Sequence, residues 1–212
     1  MTTEAKLREQ MCSAGASLFN RGLTHGSTGN ISVALPDGGW LMTPTGSSLG
    51  TLDPARLSKL DAAGKLVGGD APTKEAFLHT TMYDKRPKSG AVVHLHSTHS
   101  VAVSCLDGID QGNCLPPITA YYVMRIGTLP LVPYFPPGDA TLADAVGALA
   151  GKHHAVLLAN HGPVVAGSSL SAAQDAIEEL EETARLFLLL RHEKVNLLTP
   201  AQIAELQRRY PS

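Results

Sequence analysis

Ala91-Val92-Val93-His94-Leu95-His96 is the stretch on which the fold turns. An apolar run runs straight into two histidines, as a buried strand does where it opens onto a site. Immediately upstream, a helix with Thr73 as its N-cap is predicted over 73–85, stopping before Pro87. Immediately downstream, 98–106 reads as another helix. Further along, 130–134 is extended and 140–149 helical, and 155–159 and 163–166 are strands. A long helix over 171–192 opens on a capping-box pair, Ser171 and Gln174. On the N-terminal side the pattern changes to hairpins. Strands over 31–35 and 40–43 are separated by Pro36-Asp37-Gly38-Gly39, and Lys59-Leu60 and 65–67 flank a turn at 61–64. A first helix over 4–19 places Leu7, Met11, Ala14 and Leu18 on one face. Helix and strand alternate after residue 72 and hairpins precede it. The expected class is therefore α/β, a mixed sheet flanked by helices.

The chain has 212 residues, which suits one well-buried domain over 1–212 better than two. Hydrophobic residues make up 43% and charged residues 17%, against extended disorder. A net charge of -2 gives no footprint for nucleic acid or an anionic membrane. Residues 1–10 carry Glu4, Lys6, Arg8 and Glu9 and so lack an apolar signal-peptide core; no apolar run reaches membrane-spanning length. Cys12, Cys105 and Cys114 are odd in number and widely spaced. They form no CxxC knuckle and fit reduced thiols used in packing, hence a cytoplasmic protein.

Nine histidines are unevenly spread, with four between 79 and 99 and three between 153 and 161. In a strand, residues i and i+2 share a face, so His94 and His96 can aim two imidazoles at one ion. Imidazole nitrogen suits zinc and related divalent metals. By itself the pair also fits two hydrogen-bonded histidines. Leu157-Leu158-Ala159-Asn160-His161-Gly162 repeats the pattern, an apolar strand ending in His161 before a glycine turn. Two strands ending in imidazoles can converge on one metal, and three protein ligands with open positions is the catalytic arrangement. His153 and His154, ahead of that strand, are expected to be exposed.

Thr73-Lys74-Glu75 falls at a predicted helix start, where free amides and the dipole favour anions. Glu75 could ligate the metal, act as acid/base, do both in turn, or simply complement the dipole. Ser27-Thr28-Gly29-Asn30 and Thr43-Pro44-Thr45-Gly46-Ser47-Ser48 offer hydroxyls, glycine amides and a carboxamide, as a phosphate nest or as ordinary turns. Neither is a Walker sequence. The acidic run 178–182 on the last helix reads as a solvated face.

Taken in order, these segments resemble the class II aldolase/adducin superfamily from the first helix to about Arg191. The resemblance implies a three-layer α/β/α sandwich around a mixed, largely antiparallel sheet. It implies that His94, His96 and His161 hold one Zn2+, and that Glu75 is the acid/base and a zinc ligand until substrate displaces it. Ser27, Asn30, Thr45, Gly46, Thr73 and Lys74 would contact a phosphate. It also implies a homotetramer with sites near subunit interfaces. Lys74-Glu75 with Leu78-His79, His94-Leu95-His96-Ser97-Thr98-His99, Tyr121-Tyr122-Val123-Met124-Arg125 and Glu179 onward to Arg191 are similar to a narrower group, the 3-oxo-tetronate 4-phosphate decarboxylases. The sugar-phosphate aldolases carry Ser-Ser-Glu where this chain has Thr73-Lys74-Glu75. The implied reaction is metal-dependent loss of CO2 from a small phosphorylated sugar acid, giving dihydroxyacetone phosphate through a zinc-stabilised enediolate. Aldolase, epimerase or dehydratase chemistry on a related sugar phosphate is the alternative, and a non-catalytic adducin-like scaffold is more remote.

Overall fold

The computed structural model describes residues 3–136 and 138–210. Eight strands form one sheet in the order β4-β3-β2-β1-β5-β8-β7-β6. They are β1 (Asn30–Ala34), β2 (Trp40–Met42), β3 (Ser58–Leu60), β4 (Leu66–Gly68), β5 (Ala91–His94), β6 (Leu131–Val132), β7 (Ala155–Leu158) and β8 (Gly162–Gly167). Every neighbouring pair is antiparallel except β6 with β7. The sheet is thus mixed and largely antiparallel.

Period-two alternation sorts the strand residues onto two cores. Ile31, Val33, Ala91, Val93, Leu157 and Val165 belong to one. That face is covered by α1 (Thr3–Asn20), α3 (Thr98–Ser104), α4 (Ala120–Arg125), α6 (Leu170–Leu190) and, more loosely, α7 (Pro200–Arg209). Val92, Val156, Leu158, Val164 and Ala166 point the other way, toward α2 (Ala76–Lys85) and α5 (Leu142–Ala150). Three layers result, and the fully buried Val92 and Val93, adjacent in sequence, lie in different cores.

Several local expectations are corrected. α2 begins at Ala76, and its N-cap is Glu75 in place of Thr73; the Thr73 hydroxyl instead accepts from the Glu75 N–H in the preceding turn. α6 begins at Leu170, and Ser169 caps it through the Ala172 N–H, so the Ser171–Gln174 pair is not its capping box. β5 stops at His94, which leaves His96 beyond the strand. The run 178–182 is only partly solvated: Glu181 is half-buried against α3, Glu179 accepts from Thr119 and Thr183, and Glu178 pairs with Arg21. His154 is half-buried and bonded to the Arg125 carbonyl. α4 and α7 lie outside the helices expected from the sequence. α4 is a six-residue helix, and α7 has no buried residue and rests on a Thr199–Gln202 capping box with Pro200 in its first turn. Among the described residues no helix is long and apolar enough to cross a membrane.

Candidate metal centre

The start of β1, the ends of β2, β5 and β7, and the start of β8 all lie at one end of the sheet, as the registers Asn30↔His94, Ser32↔Met42, His94↔Val164 and Leu158↔Gly162 require. His94 is the last residue of β5 and its side chain is fully buried. Its Nδ1 lies 2.8 Å from the Pro163 carbonyl. A carbonyl only accepts, so Nδ1 carries the proton and Nε2 presents a bare lone pair. His96 lies past the strand end and turns its Nε2 to 3.1 Å from that of His94.

His161 sits in the tight turn joining β7 to β8. Asn160, at φ 55°, is the only non-glycine residue with positive φ among the described residues, a conformation asparagine tolerates. Gly162 follows because the chain passes hard against Leu95: a Cβ there would lie 2.2 Å from the Leu95 carbonyl oxygen. The turn aims His161 Nε2 at a point 3.0 Å from His96 Nε2 and 3.3 Å from His94 Nε2. Glu75 closes the group from the start of α2, with Oε1 3.2 Å from His161 and Oε2 3.5 Å from His94. All four ligand atoms lie within 4.8 Å of one another.

The donor set fits a divalent cation. Zinc bonds of about 2.0–2.1 Å in a tetrahedron set neighbouring donors roughly 3.3 Å apart, close to the 3.0–3.3 Å observed among the three nitrogens. Burial lowers the pKa of His94 and takes His96 down to about 3, so both are neutral and able to coordinate at neutral pH. Burial pushes Glu75 up, but its hydrogen bonds with His161 and the Asn30 amide, and the favourable electrostatics of the imidazoles beside it, outweigh it. Its carboxyl is held well below the usual range and is ionised. Glu75 and His161 keep 16% and 14% side-chain exposure, which leaves the group open on one side.

The segments expected to hold phosphate are tied to this end of the sheet. Thr43 exchanges bonds with Ile31 through its N–H and hydroxyl, and its carbonyl accepts from the Thr73 N–H. The Thr45 N–H donates to the Ala71 carbonyl, and Pro44 bridges Pro72. The Thr45-Gly46 loop therefore lies beside Thr73-Lys74-Glu75. Gly29 brings the third loop against His94, since a Cβ there would lie 3.1 Å from the His94 carbonyl. Ser27, Thr45, Gly46 and Lys74 are exposed and available to a ligand. Asn30 and Thr73 are buried, with polar atoms bonded inside the protein. Asn30 Nδ2 donates to Glu75 Oε2 at 2.8 Å and its Oδ1 meets His79 Nε2, so its amide supports Glu75, with one amide proton left over.

Two supports escaped the sequence. His79 is one; its place in α2, four residues after Glu75 and so on the same helix face, was the available signal. Glu181 is the other. Its carboxylate accepts from the His99 N–H and Nδ1 and from the Ser100 N–H and hydroxyl, at 2.7–2.8 Å. It caps α3 and anchors the loop leaving His96.

Residues 9–188 match the Class II Aldolase and Adducin N-terminal domain. The 3-oxo-tetronate 4-phosphate decarboxylase of Escherichia coli K12 is 52% identical over 204 residues, covering 96% of each chain. The L-fuculose phosphate aldolase of Haemophilus influenzae is 33% identical over 190 residues, covering 88% of this chain and 84% of that one. The crystal structure of YgbL from Escherichia coli superposes with a TM-score of 0.95 at 50% identity, covering 97% of this chain and 100% of that one.

Proposed function

The chain belongs to the class II aldolase and adducin family, and from that membership and its site we propose that it decarboxylates a 3-oxo-tetronate 4-phosphate to dihydroxyacetone phosphate. The observation that carries the reading is the convergence of Glu75, His94, His96 and His161 in a chain 52% identical to a decarboxylase of that substrate.

Such a substrate is a β-keto acid. When the C1–C2 bond breaks, its electron pair stays on C2 and is delocalised onto the C3 oxygen. CO2 leaves, and one proton must be added at C2. A divalent cation, which we take to be one Zn2+ per chain, supplies Lewis-acid stabilisation of the charge developing on that oxygen. Glu75, His94, His96 and His161 would hold it. Ser27, Thr45, Gly46 and Lys74 are the exposed groups we assign to the phosphate, with Thr73 and the spare Asn30 amide proton behind them. Binding at this remote group would hold the reacting carbons beside Glu75 and the three histidines. Lys74 could instead steady the departing carboxylate; phosphate is the assignment we favour, since its loop lies against Thr45-Gly46.

Glu75 is the candidate acid/base. Its low proton affinity depends on His161 and Asn30. Substrate that displaces it from those partners raises that affinity, which suits delivery of a proton to C2. An aldolase breaks a carbon–carbon bond to the same kind of electron sink with an aldehyde leaving, and the 33% identity to an L-fuculose phosphate aldolase keeps that reaction as the alternative. We place the enzyme in the cytoplasm, in keeping with its three free cysteines. We also infer a homotetramer with sites near subunit interfaces; Tyr121 and Leu189, 61% and 68% exposed, are apolar surface that a neighbour could cover. The test offers the D- and L-forms of 3-oxo-tetronate 4-phosphate, and fuculose 1-phosphate, to the zinc-loaded protein. CO2 and dihydroxyacetone phosphate in equal amounts support the proposal. Aldehyde release from fuculose phosphate with no CO2 from either acid would overturn it.

A further inference from the structure

Behind Glu75 a chain of hydrogen bonds runs into the core between β1 and α2. Asn30 Nδ2 lies 2.8 Å from Glu75 Oε2, and Asn30 Oδ1 lies against His79 Nε2. His79 Nδ1 lies 2.6 Å from Ser32 Oγ, which is 3.0 Å from Tyr83 Oη. His79 and Ser32 have no exposed surface, Tyr83 has 6% and Asn30 has 7%.

The proton positions in this chain follow from one end. An ionised carboxylate only accepts, so the Asn30 amide nitrogen must face Glu75 and its oxygen must face His79. His79 must then donate through Nε2. Burial keeps the ring neutral, so Nδ1 is bare and accepts the Ser32 hydroxyl proton. With that proton used, Ser32 can only accept from Tyr83. Every donor points toward Glu75, and no link can reverse without setting two acceptors or two donors face to face in a dry core.

We propose that His79 is a positioning residue of this site: as the neutral Nε2–H tautomer it locks the Asn30 carboxamide with its nitrogen toward Glu75, and so holds the carboxylate in register with the three histidines. Among the described residues Asn30 has no other side-chain partner to set its orientation, and a flipped amide would put oxygen against oxygen at Glu75. The proposal rests on the reading of Glu75 as the acid/base, so both must be tested side by side.

The direct test is 15N NMR of the imidazole nitrogens in the wild-type protein, before and after zinc. A protonated Nε2 and a bare Nδ1 on His79 are expected; an Nδ1–H tautomer or an imidazolium overturns the proposal. The kinetic test compares His79→Leu with His79→Gln, whose single amide can both donate to Asn30 and accept from Ser32. For His79→Leu, kcat should fall about 10- to 100-fold, the usual effect of removing an outer-shell partner, with KM within about twofold. His79→Gln should recover most of that loss. Equal losses in both variants, or a normal kcat in His79→Leu, would refute positioning. If His79→Leu does not fold, the NMR result and the His79→Gln rate decide. Glu75→Gln is run in parallel: normal turnover there sinks the acid/base reading, whereas an inactive Glu75→Gln beside a fully active His79→Leu sinks only the role of His79.

Discussion

Gly162→Ala should disable the candidate metal centre without altering Glu75, His94, His96 or His161. The added Cβ would lie 2.2 Å from the Leu95 carbonyl oxygen and 3.4 Å from His96 Cα. Real contacts of this kind are essentially never under 3.0 Å, so one strand must yield by about 0.8 Å. Both sides of the contact carry candidate ligands: Leu95 lies between His94 and His96, and Gly162 follows His161. Coordination distances tolerate only about ±0.2 Å. A shift several times larger should cost on the order of 100-fold in turnover, with about 1–3 kcal/mol of overpacking in the metal-free protein. The assays are turnover at saturating zinc, zinc retained after dialysis, and thermal unfolding in chelator. Gly151→Ala is the control, since a Cβ there meets nothing within 4 Å. A Gly162→Ala protein with wild-type zinc retention, melting and turnover would refute the argument that this close approach sets the spacing of the imidazoles.

Glu75→Gln is expected to keep phosphate-ester binding and lose at least about 100-fold in turnover, read from steady-state rates and product inhibition by dihydroxyacetone phosphate; a rate within a few-fold of wild type contradicts the acid/base role. Glu181→Ala removes four hydrogen bonds from the start of α3 and should cost about 2–4 kcal/mol in urea unfolding; an unchanged midpoint would show that this cap is idle. Acid should destabilise the metal-free protein. His79 has its pKa lowered by burial to about 3 in the folded state, against about 6.5 unfolded. The unfolded state therefore binds the extra proton, and stability falls as pH drops from about 6.5 toward 3, by up to about 1.4 kcal/mol per pH unit for this group. His79→Gln should flatten that slope, and an unchanged slope would contradict the burial argument.

The convergence of the histidines could be read from the chain because strand geometry is local. An apolar run ending in histidine says where the imidazole goes, and two such runs, at His94 and His161, meet once their strands pair with the same sheet. Even here strand alternation is only part of the geometry, since His96 reaches the site from beyond the strand. What could not be read depends on partners distant in sequence. Glu181 sits in an acidic run that looks solvated until α3 is docked 82 residues away in the chain. Asn30 looked like a loop group waiting for phosphate; the structure spends its amide on Glu75 and His79, a link spanning 45 and 49 residues. Thr73 and Ser171 each resemble a cap, but the caps lie two residues away, at Glu75 and Ser169, a shift that local sequence pattern does not resolve. α7 lacked a buried stripe, and α4 was too short for periodicity to register.

The most direct measurement is X-ray absorption at the zinc edge on protein loaded with one equivalent of zinc. Three imidazole nitrogens and carboxylate or water oxygen at about 2.0–2.1 Å are expected, with one imidazole lost in His161→Ala. A first shell lacking imidazole, or containing thiolate sulfur at about 2.3 Å, would contradict the assignment of His94, His96, His161 and Glu75 as the metal site.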